Sequence, residues 1–298
     1  MPDIFQPRAG YYIVLFLDVL GQSEELKGIP LLDKVANAEQ MQEWADQYFK
    51  VVRPVFLLQN KVEETFRDFY SRFGEKGPDL IKNALAPIRA PGVLQFQRFS
   101  DGLVVFFSLR GDIAKMGPFG ARVLLLAAAS AQLMTMLEGY LIRGGMEVDD
   151  GIELKQGELY GRALLGAYEL EKNIAGYPRI VLGAGFMRLL QSYIESSGNP
   201  DPLLRVSAEM AKHCSGLVFK DNDGCAVVDF LSEELAAMFG EKRGEVFVKM
   251  KEFIQDQMKK HRADGKIYPR LKTLCDYMDS RSVVWMKGGD GKGPEGTN

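Results

Sequence analysis

Cysteine and histidine are both scarce in this sequence, which has three cysteines and two histidines in 298 residues. The cysteines are widely spaced, odd in number and without a Cys-x-x-Cys pair. This argues against a disulfide framework and a zinc knuckle, and it fits a reducing compartment. With His213 and His261 alone, histidine metal clusters and most Ser-His catalysis are disfavoured. We therefore expect a cytoplasmic protein whose chemistry uses other side chains.

A strong charge of either sign and a long hydrophobic span are also missing. The formal net charge is −3 at pH 7, so we expect no general attraction to nucleic acid or to an anionic membrane. The longest apolar segment, residues 123–137, is short and rich in alanine, which predicts a buried helix and no membrane span. Asp3 and Pro7 precede an apolar run that Asp18 interrupts, and this pattern does not predict a signal peptide.

The sequence does contain a short apolar strand that ends in a carboxylate. Residues 13–22 read Ile-Val-Leu-Phe-Leu-Asp-Val-Leu-Gly-Gln, so that Asp18 is followed by a turn at Gly21. A charge buried at the end of such a strand is costly unless a partner offsets it, and a metal ion is one such partner. Taken alone, Asp18 is equally well explained as the N-cap of the segment that follows.

A second aspartate lies at the tip of a predicted hairpin. Residues 93–107 contain two apolar runs joined at Asp101-Gly102, which is a strong hairpin signal. Turn chemistry alone is enough to explain Asp101. If this hairpin lies beside the first strand in one sheet, Asp18 and Asp101 converge, and their oxygen ligands suit Mg²⁺ or Mn²⁺.

The order of the predicted elements indicates an α+β sandwich, with helices packed on a mixed, mainly antiparallel sheet close to the ferredoxin-like split βαβ layout. A Gly144-Gly145 pair predicts a strand in close contact with a neighbouring element, and Pro54 is expected to break or kink a long helical stretch. The predicted elements are a strand over 11–19, helical residues 32–73, the hairpin, a helix over 113–141, a strand from 143, a helix over 160–173, a strand over 179–182, a helix over 183–196 and a hairpin over 217–230.

The chain is expected to divide into three parts. Residues 10–230 form the main predicted domain, for which the resemblance described below implies catalysis, and residues 231–286 form a helical C-terminal extension. Within that extension, residues 241–278 are predicted to be helical and locally basic, a pattern typical of a solvated face. Residues 287–298 are rich in glycine and are expected to be a disordered tail.

Taken in order, these segments resemble the class III nucleotide cyclases. Residues 16–21, Phe-Leu-Asp-Val-Leu-Gly, resemble the first metal motif of that family. Residues 99–102, Phe-Ser-Asp-Gly, resemble its hairpin with the second metal aspartate. The later strand, helix entry, short strand and late hairpin of the family are matched by residues 143–145, 159–171, 178–182 and 217–230. The resemblance covers about residues 10–230.

The resemblance implies a reaction in which the ribose 3′-hydroxyl of a nucleoside triphosphate attacks the α-phosphorus and expels pyrophosphate. It implies two divalent metal ions, Mn²⁺ or Mg²⁺, held by Asp18, Asp101 and the backbone carbonyl of Val19. It also implies a homodimer with active sites at the interface, in which one subunit supplies the metals and the other supplies base contacts.

Further substrate contacts are predicted with simpler interpretations beside them. Arg98 is a candidate for the base or triphosphate, or else a solvated strand residue. Tyr48 is a candidate for stacking on the base, or else a core aromatic. The resemblance adds Lys220 as a candidate triphosphate contact. Backbone amides that suit phosphate oxygens belong to the turn Leu20, Gly21 and Gln22.

The purine-specific part of the family pattern is missing. Leu165 and Glu169 stand where purine cyclases carry an Asn and an Arg that stabilise the transition state. Gln97 stands at the base-selecting lysine, and Glu158 stands near the second selecting position. This combination resembles the pyrimidine cyclases of the bacterial Pycsar antiphage systems, which make cyclic UMP or cyclic CMP. It implies UTP or CTP as substrate and a separate effector that reads the product. A purine cyclase and a catalytically silent nucleotide-binding or dimerisation module are the alternatives.

Overall fold

The computed structural model describes residues 6–72, 92–99 and 102–286. Within these ranges the chain is α+β, with eight strands in one open mixed sheet and helices packed on it. The coarse fold class predicted from the sequence is therefore confirmed. Asp101 and the predicted tail 287–298 lie outside the described residues.

Strand β1 is an interior strand of the sheet and lies between β3 and β4. Its strands lie in the order β2-β3-β1-β4-β6-β8-β7, with β5 added to β4. Only β4 and β6 pair in parallel, so the described sheet is mainly antiparallel, as predicted. The strands are β1 (Arg8–Val19), β2 (Leu94–Arg98), β3 (Gly102–Ser108), β4 (Ile142–Lys155), β5 (Glu158–Tyr160), β6 (Ile180–Leu182), β7 (Val218–Lys220) and β8 (Ala226–Val228).

Strand β1 is apolar on both faces because both faces of the sheet are covered there. Ile13, Leu15 and Leu17 belong to the large core, whereas Val14 and Phe16 belong to a smaller core on the other face. Alternate residues of a strand point to opposite faces, so a strand covered on both sides shows a continuous apolar run. Asp18 follows Phe16 by two residues and therefore belongs to the face of the smaller core.

The helices are α1 (Gln22–Lys27), α2 (Ala38–Leu57), α3 (Glu63–Arg72), α4 (Gly117–Leu137), α5 (Arg162–Glu169), α6 (Ala184–Glu195), α7 (Pro202–Ser215), α8 (Glu233–Phe239), α9 (Arg243–Lys260) and α10 (Ile267–Met286). Within the described ranges, two π-helical turns interrupt these helices: the first π-turn, Leu58–Val62, follows α2, and the second π-turn, Leu170–Ile174, follows α5. Such turns are rare and concentrate at functional sites.

Two details of the sequence prediction are wrong, and a third is wrong in part. Pro54 lies inside α2 without ending it, so of the two predicted outcomes, a break or a kink, the break does not occur; the first π-turn follows four residues later. The helical segment predicted over 241–278 is two helices, because the Asp264 side chain accepts hydrogen bonds from the backbone N–H of Lys266 and Ile267 at 2.8 Å and starts α10 anew. The prediction also omitted α7, which Asp201 caps through the Leu203 N–H at 2.9 Å.

Among the described residues, one helical segment, Gly111–Leu137, is long and apolar enough to cross a membrane, yet 83% of its most apolar window is buried within the fold. It begins as a 3₁₀ turn and continues as α4. The sequence predicted a buried helix here, and the structure confirms it. A helix that is surrounded by protein is apolar on every side.

The C-terminal helices belong to the same core as the sheet. Phe247 and Ile254 of α9 and Leu274 of α10 are buried in the cluster that contains the inner residues of β1. The indole N–H of Trp285 donates to the Leu231 carbonyl oxygen at 2.9 Å. The predicted catalytic domain and the predicted extension therefore share one continuous hydrophobic core.

Candidate active site

Asp18 lies near the C-terminal end of the interior strand β1. It pairs in register with Gly102 of β3 on one side and with Arg143 of β4 on the other. Leu17 and Val19 beside it are buried, whereas the Asp18 side chain keeps 20% of its surface exposed. The apolar neighbours fix the strand end and leave this carboxylate within reach of a ligand.

The flanks of the β2–β3 turn are held beside Asp18. Gly102 is the residue after Asp101, and a Cβ atom there would lie 2.9 Å from a carbonyl oxygen of β1, so only glycine permits this approach without a shift. From the first π-turn, the Gln59 side-chain amide donates to the carbonyl oxygens of Phe99 at 2.8 Å and Gly102 at 3.2 Å. Both flanks of the turn are thereby fixed, while Asp101 itself lies outside the described residues.

Arg143 and Glu171 form a charged group with Asp18, called here the Asp18 triad. Nη2 of Arg143 lies 3.7 Å from Oδ2 of Asp18, which is longer than a hydrogen bond. Nε of the same guanidinium forms an ion pair with the buried carboxylate of Glu171, on the second π-turn. Arg143 therefore lies between two carboxylates and balances part of their charge. The sequence motifs contain Arg143 and Glu171 but give neither a role, because cross-strand neighbours depend on register.

The glycine pair of β4 brings the second π-turn to Arg143. A Cβ atom at Gly145 would lie 2.2 Å from the Ala167 carbonyl oxygen, and one at Gly144 would lie 2.4 Å from that of Phe16. The close approach predicted from the Gly-Gly step is confirmed. It allows α5 to lie directly on β4, and Glu171 follows from the end of that helix.

The turn after Asp18 offers fewer amides than the sequence suggests. The Leu20 N–H donates to the Leu141 carbonyl oxygen at 2.9 Å, so this amide is already used. Gly21 has a φ of +92°, a conformation that favours glycine, and the Gln22 side chain is buried. Helix α1, which follows, has six residues. Among the predicted phosphate contacts of this turn, the amides of Gly21 and Gln22 are the two that remain candidates.

Arg98 is not brought together with Asp18. It lies in register with Leu17 through β3, so it belongs to the face of the large core, whereas Asp18 belongs to the opposite face. Its Nη2 atom is 2.9 Å from Oε2 of Glu63 on α3. Arg98 lines an open groove of about 550 Å³ beside that helix. Its side chain is 52% exposed, which agrees with the simpler interpretation of a solvated strand residue, and it is not a direct neighbour of Asp18.

Gln97 is, with Gln95, one of the β2 residues on the same face of the sheet as Asp18. It lies in register with Phe16 through β3, and its Oε1 atom accepts a hydrogen bond from the Leu159 backbone N–H at 3.1 Å. The side-chain oxygen is thereby held against β5, and the amide NH₂ is the group with donors left for a ligand.

Tyr48 and Lys220 lie on other parts of the molecule. Tyr48 is on α2, exposed, with its ring stacked on Trp44 at a centroid distance of 5.0 Å, so it is not a core aromatic. Lys220 is on the edge strand β7, four strands from β1 and thus roughly 19 Å away at the usual strand spacing. Their predicted roles would need a contribution from a second subunit or a change of conformation.

A second charged group lies at the start of β6 and is called here the Arg179 cluster; the Arg179 carbonyl oxygen accepts a hydrogen bond from the Gly144 N–H at 3.0 Å. Arg179 is buried and forms ion pairs with Asp221 and, at 2.5 Å, with Asp223. The Tyr177 hydroxyl donates to Asp221 at 2.5 Å, and Nε of Arg179 donates to the Ala175 carbonyl oxygen at 2.7 Å. The hydrogen bond from Arg179 lowers the pKa of Asp223 to about 2. This cluster fixes the β7–β8 hairpin.

Two of the three predicted metal ligands lie within the described residues. Asp18 supplies a carboxylate and Val19 a carbonyl oxygen, the hard donors that Mg²⁺ and Mn²⁺ prefer. No group of three or more His, Cys, Asp or Glu side chains within the described ranges is placed to hold a metal ion. The third predicted ligand, Asp101, lies outside those ranges.

No protein-family model matches this chain, and no curated protein matches its sequence. Its function is therefore inferred from the fold, the Asp18 triad and the sequence motifs.

Proposed function

We propose that this chain is a metal-dependent nucleotide cyclase that converts UTP or CTP to the 3′,5′-cyclic monophosphate and pyrophosphate. The observation that carries the proposal is the register of β1 with β3, which pairs Asp18 with the residue directly after Asp101. The Gln59 hydrogen bonds to both flanks of that turn add to it. The order of strands and helices also agrees with the order of motifs in the class III cyclases, which the resemblance implies.

Asp18, the Val19 carbonyl and Asp101 would hold two divalent ions, Mn²⁺ or Mg²⁺. When bound, such ions offset the charge of the triphosphate and favour ionisation of the 3′-hydroxyl. Arg143 repels a cation at Asp18, and Glu171 offers the guanidinium a second carboxylate within the Asp18 triad. Glu171 would therefore remain paired with Arg143 when Asp18 coordinates a metal ion.

The reaction is an intramolecular displacement. The ribose 3′-oxygen forms a bond to the α-phosphorus, the bond from that phosphorus to the bridging oxygen of pyrophosphate breaks, and the 3′-hydroxyl proton passes to solvent. The chain has to hold the ribose and the triphosphate in line, because positioning and charge stabilisation carry most of phosphoryl transfer. The Gly21 and Gln22 amides are the candidates for the phosphate oxygens.

The choice of a pyrimidine rests on what replaces the purine contacts. Leu165 is 54% exposed and donates no side-chain hydrogen bond, and Glu169 carries the opposite charge to the arginine of purine cyclases. Gln97 presents an amide where a base-selecting lysine is expected. A homodimer, a cytoplasmic location and a product read by a separate effector in antiphage defence complete the proposal and rest on the resemblance.

A silent cyclase-like module is the second candidate, and the Asp18 triad is the observation that favours it. An arginine beside the metal aspartate gives that carboxylate a counter-ion within the protein, which a nucleotide-binding or dimerisation module would retain without turnover. In the experiment that follows, a purine cyclase is distinguished from the main proposal by its product.

The test is incubation of the full chain with ATP, GTP, CTP or UTP and Mn²⁺, with the products identified by mass spectrometry. We expect cyclic UMP or cyclic CMP, and we expect Asp18→Asn to lower the rate by a factor of about a hundred or more, since one metal ligand is weakened. Asp256→Asn, on the exposed face of α9, is the matched control and should keep full activity. A cyclic purine product would overturn the pyrimidine assignment. Equal turnover by Asp18→Asn and the parent protein would overturn the site.

A further inference from the structure

Helix α2 carries an apolar stripe that faces solvent. Met41, Tyr48, Phe49 and Phe56 are all exposed, with Phe49 at 65% and Phe56 at 63% of their surface. At 3.6 residues per turn these positions fall on one side of the helix. Aromatic residues and methionine are enriched in this way at protein interfaces.

The stripe points away from the place where α2 joins the rest of the chain. Pro54 is the buried residue of α2, and it lies roughly 160° around the helix from Phe56. Among the described elements, the main packing partners of α2 are α1 and the first π-turn. Trp44, at the edge of the stripe, donates its indole N–H to the Pro30 carbonyl oxygen at 2.8 Å in the segment after α1. A monomer would normally turn such a stripe towards its own core.

The charges of α2 are divided along its length. The N-terminal half carries Glu39, Glu43 and Asp46, and the C-terminal half carries Lys50 and Arg53. A parallel pair of such helices would place like charges side by side. In an antiparallel pair, each acidic half lies beside a basic half.

Asp46 and Arg53 supply the register of such a pair. They are seven residues apart, so they lie on the same edge of the helix, on either side of Phe49. A two-fold axis near Phe49 brings Asp46 of each copy towards Arg53 of the other. Within the chain both have weak, exposed contacts: Asp46 accepts from Gln42, and Arg53 lies 3.9 Å from Glu138.

We infer that α2 is a self-association surface, on which two copies of this chain pair their α2 helices antiparallel about a two-fold axis near Phe49. An isologous contact requires a surface that complements itself, and an apolar stripe with one acidic and one basic end meets that requirement. This inference rests on α2 alone and does not depend on the proposed cyclase activity.

The first test is the mass of the full chain in solution by analytical ultracentrifugation over a range of concentrations. We expect a dimer, and we expect Phe49→Glu to raise its dissociation constant at least tenfold because the charge lies at the centre of the contact. Met238→Glu on α8, an equally exposed apolar position, is the matched control and should leave dimerisation unchanged. A monomeric parent protein, or a Phe49→Glu protein that dimerises as well as the parent, would overturn the inference.

The second test is a charge exchange that distinguishes the direction of pairing. Asp46→Arg alone and Arg53→Asp alone each place like charges together in an antiparallel pair and should weaken the dimer. The double variant Asp46→Arg/Arg53→Asp restores opposite charges and should recover it. Failure of the double variant to recover, with circular dichroism unchanged, would overturn the antiparallel arrangement. Nucleotide turnover is measured separately, so a loss of dimer and a lack of cyclase activity stay distinguishable.

Discussion

The Asp18 triad and the Arg179 cluster each pair one arginine with two carboxylates, but they differ in distance and in burial. In the Arg179 cluster the guanidinium donates to two carboxylates and to backbone carbonyl oxygens, and the Asp221 side chain is 4% exposed. In the triad the Arg143–Asp18 distance is 3.7 Å, and Asp18 is five times more exposed. The buried Arg179 ion pairs fix the hairpin, whereas the Arg143–Asp18 pair at a strand end is longer and its carboxylate is more exposed to solvent.

The prediction with the largest expected effect removes the arginine of the Arg179 cluster. Arg179→Leu leaves Asp221 buried without its cation, so we expect the free energy of unfolding to fall by about 3–5 kcal/mol. Asp18→Asn should change it by less than ~1 kcal/mol, because Arg143 keeps its ion pair with Glu171. Urea titration followed by circular dichroism measures both. Equal losses in the two variants would contradict the distinction.

A second test separates Glu171 from Arg143 without touching any charge. A methyl group at Gly145 meets the Ala167 carbonyl oxygen, so Gly145→Ala has to displace α5 from β4. We expect a loss of about 1–3 kcal/mol in unfolding free energy. Gly198→Ala is the matched control, because a Cβ atom there meets no atom within 4 Å. A Gly145→Ala protein as stable as the parent would show that α5 can move away from β4 without a loss of unfolding free energy.

The smallest expected effect concerns acid stability. The hydrogen bond from Arg179 holds the pKa of Asp223 near 2, below the ordinary value of 3.8, so the carboxylate stabilises the fold above pH 4 and this contribution is lost as the pH falls towards 2. Asp223 is about half exposed, so the contribution is below ~1 kcal/mol. The stability difference between the parent and Asp223→Asn should therefore shrink from pH 4.5 to pH 2 in urea titrations. A constant difference over that range would contradict the ion pair.

Local patterns predicted the parts of the fold that depend on neighbouring residues. The apolar run before Asp18, the Asp-Gly step and the Gly144-Gly145 pair each have a direct local cause, and their strands are where the sequence places them. Helix α7 was missed although its start is marked by Asp201 and Pro202, a capping residue followed by proline at the first helical position. That signal was available from the sequence.

The charged partners could not be predicted in this way. Arg143 meets Asp18 because β1 and β4 pair in one particular register, and Glu171 reaches Arg143 because a π-turn shifts the helix by one residue. Neither is visible in local sequence. The face of Arg98, in contrast, follows from strand alternation once the hairpin register is known, and this separates it from Asp18.

The interior position of β1 also determines how this chain reaches its fold. Among the described strands β1 comes first in the sequence, yet Ile13 pairs with Phe107 and Val148, far along the chain. Contacts so distant in sequence close slowly, so this apolar strand has no sheet partner until β3 and β4 have emerged from the ribosome. During that interval it is the segment most exposed to aggregation, and chaperones that bind extended apolar segments would meet it first.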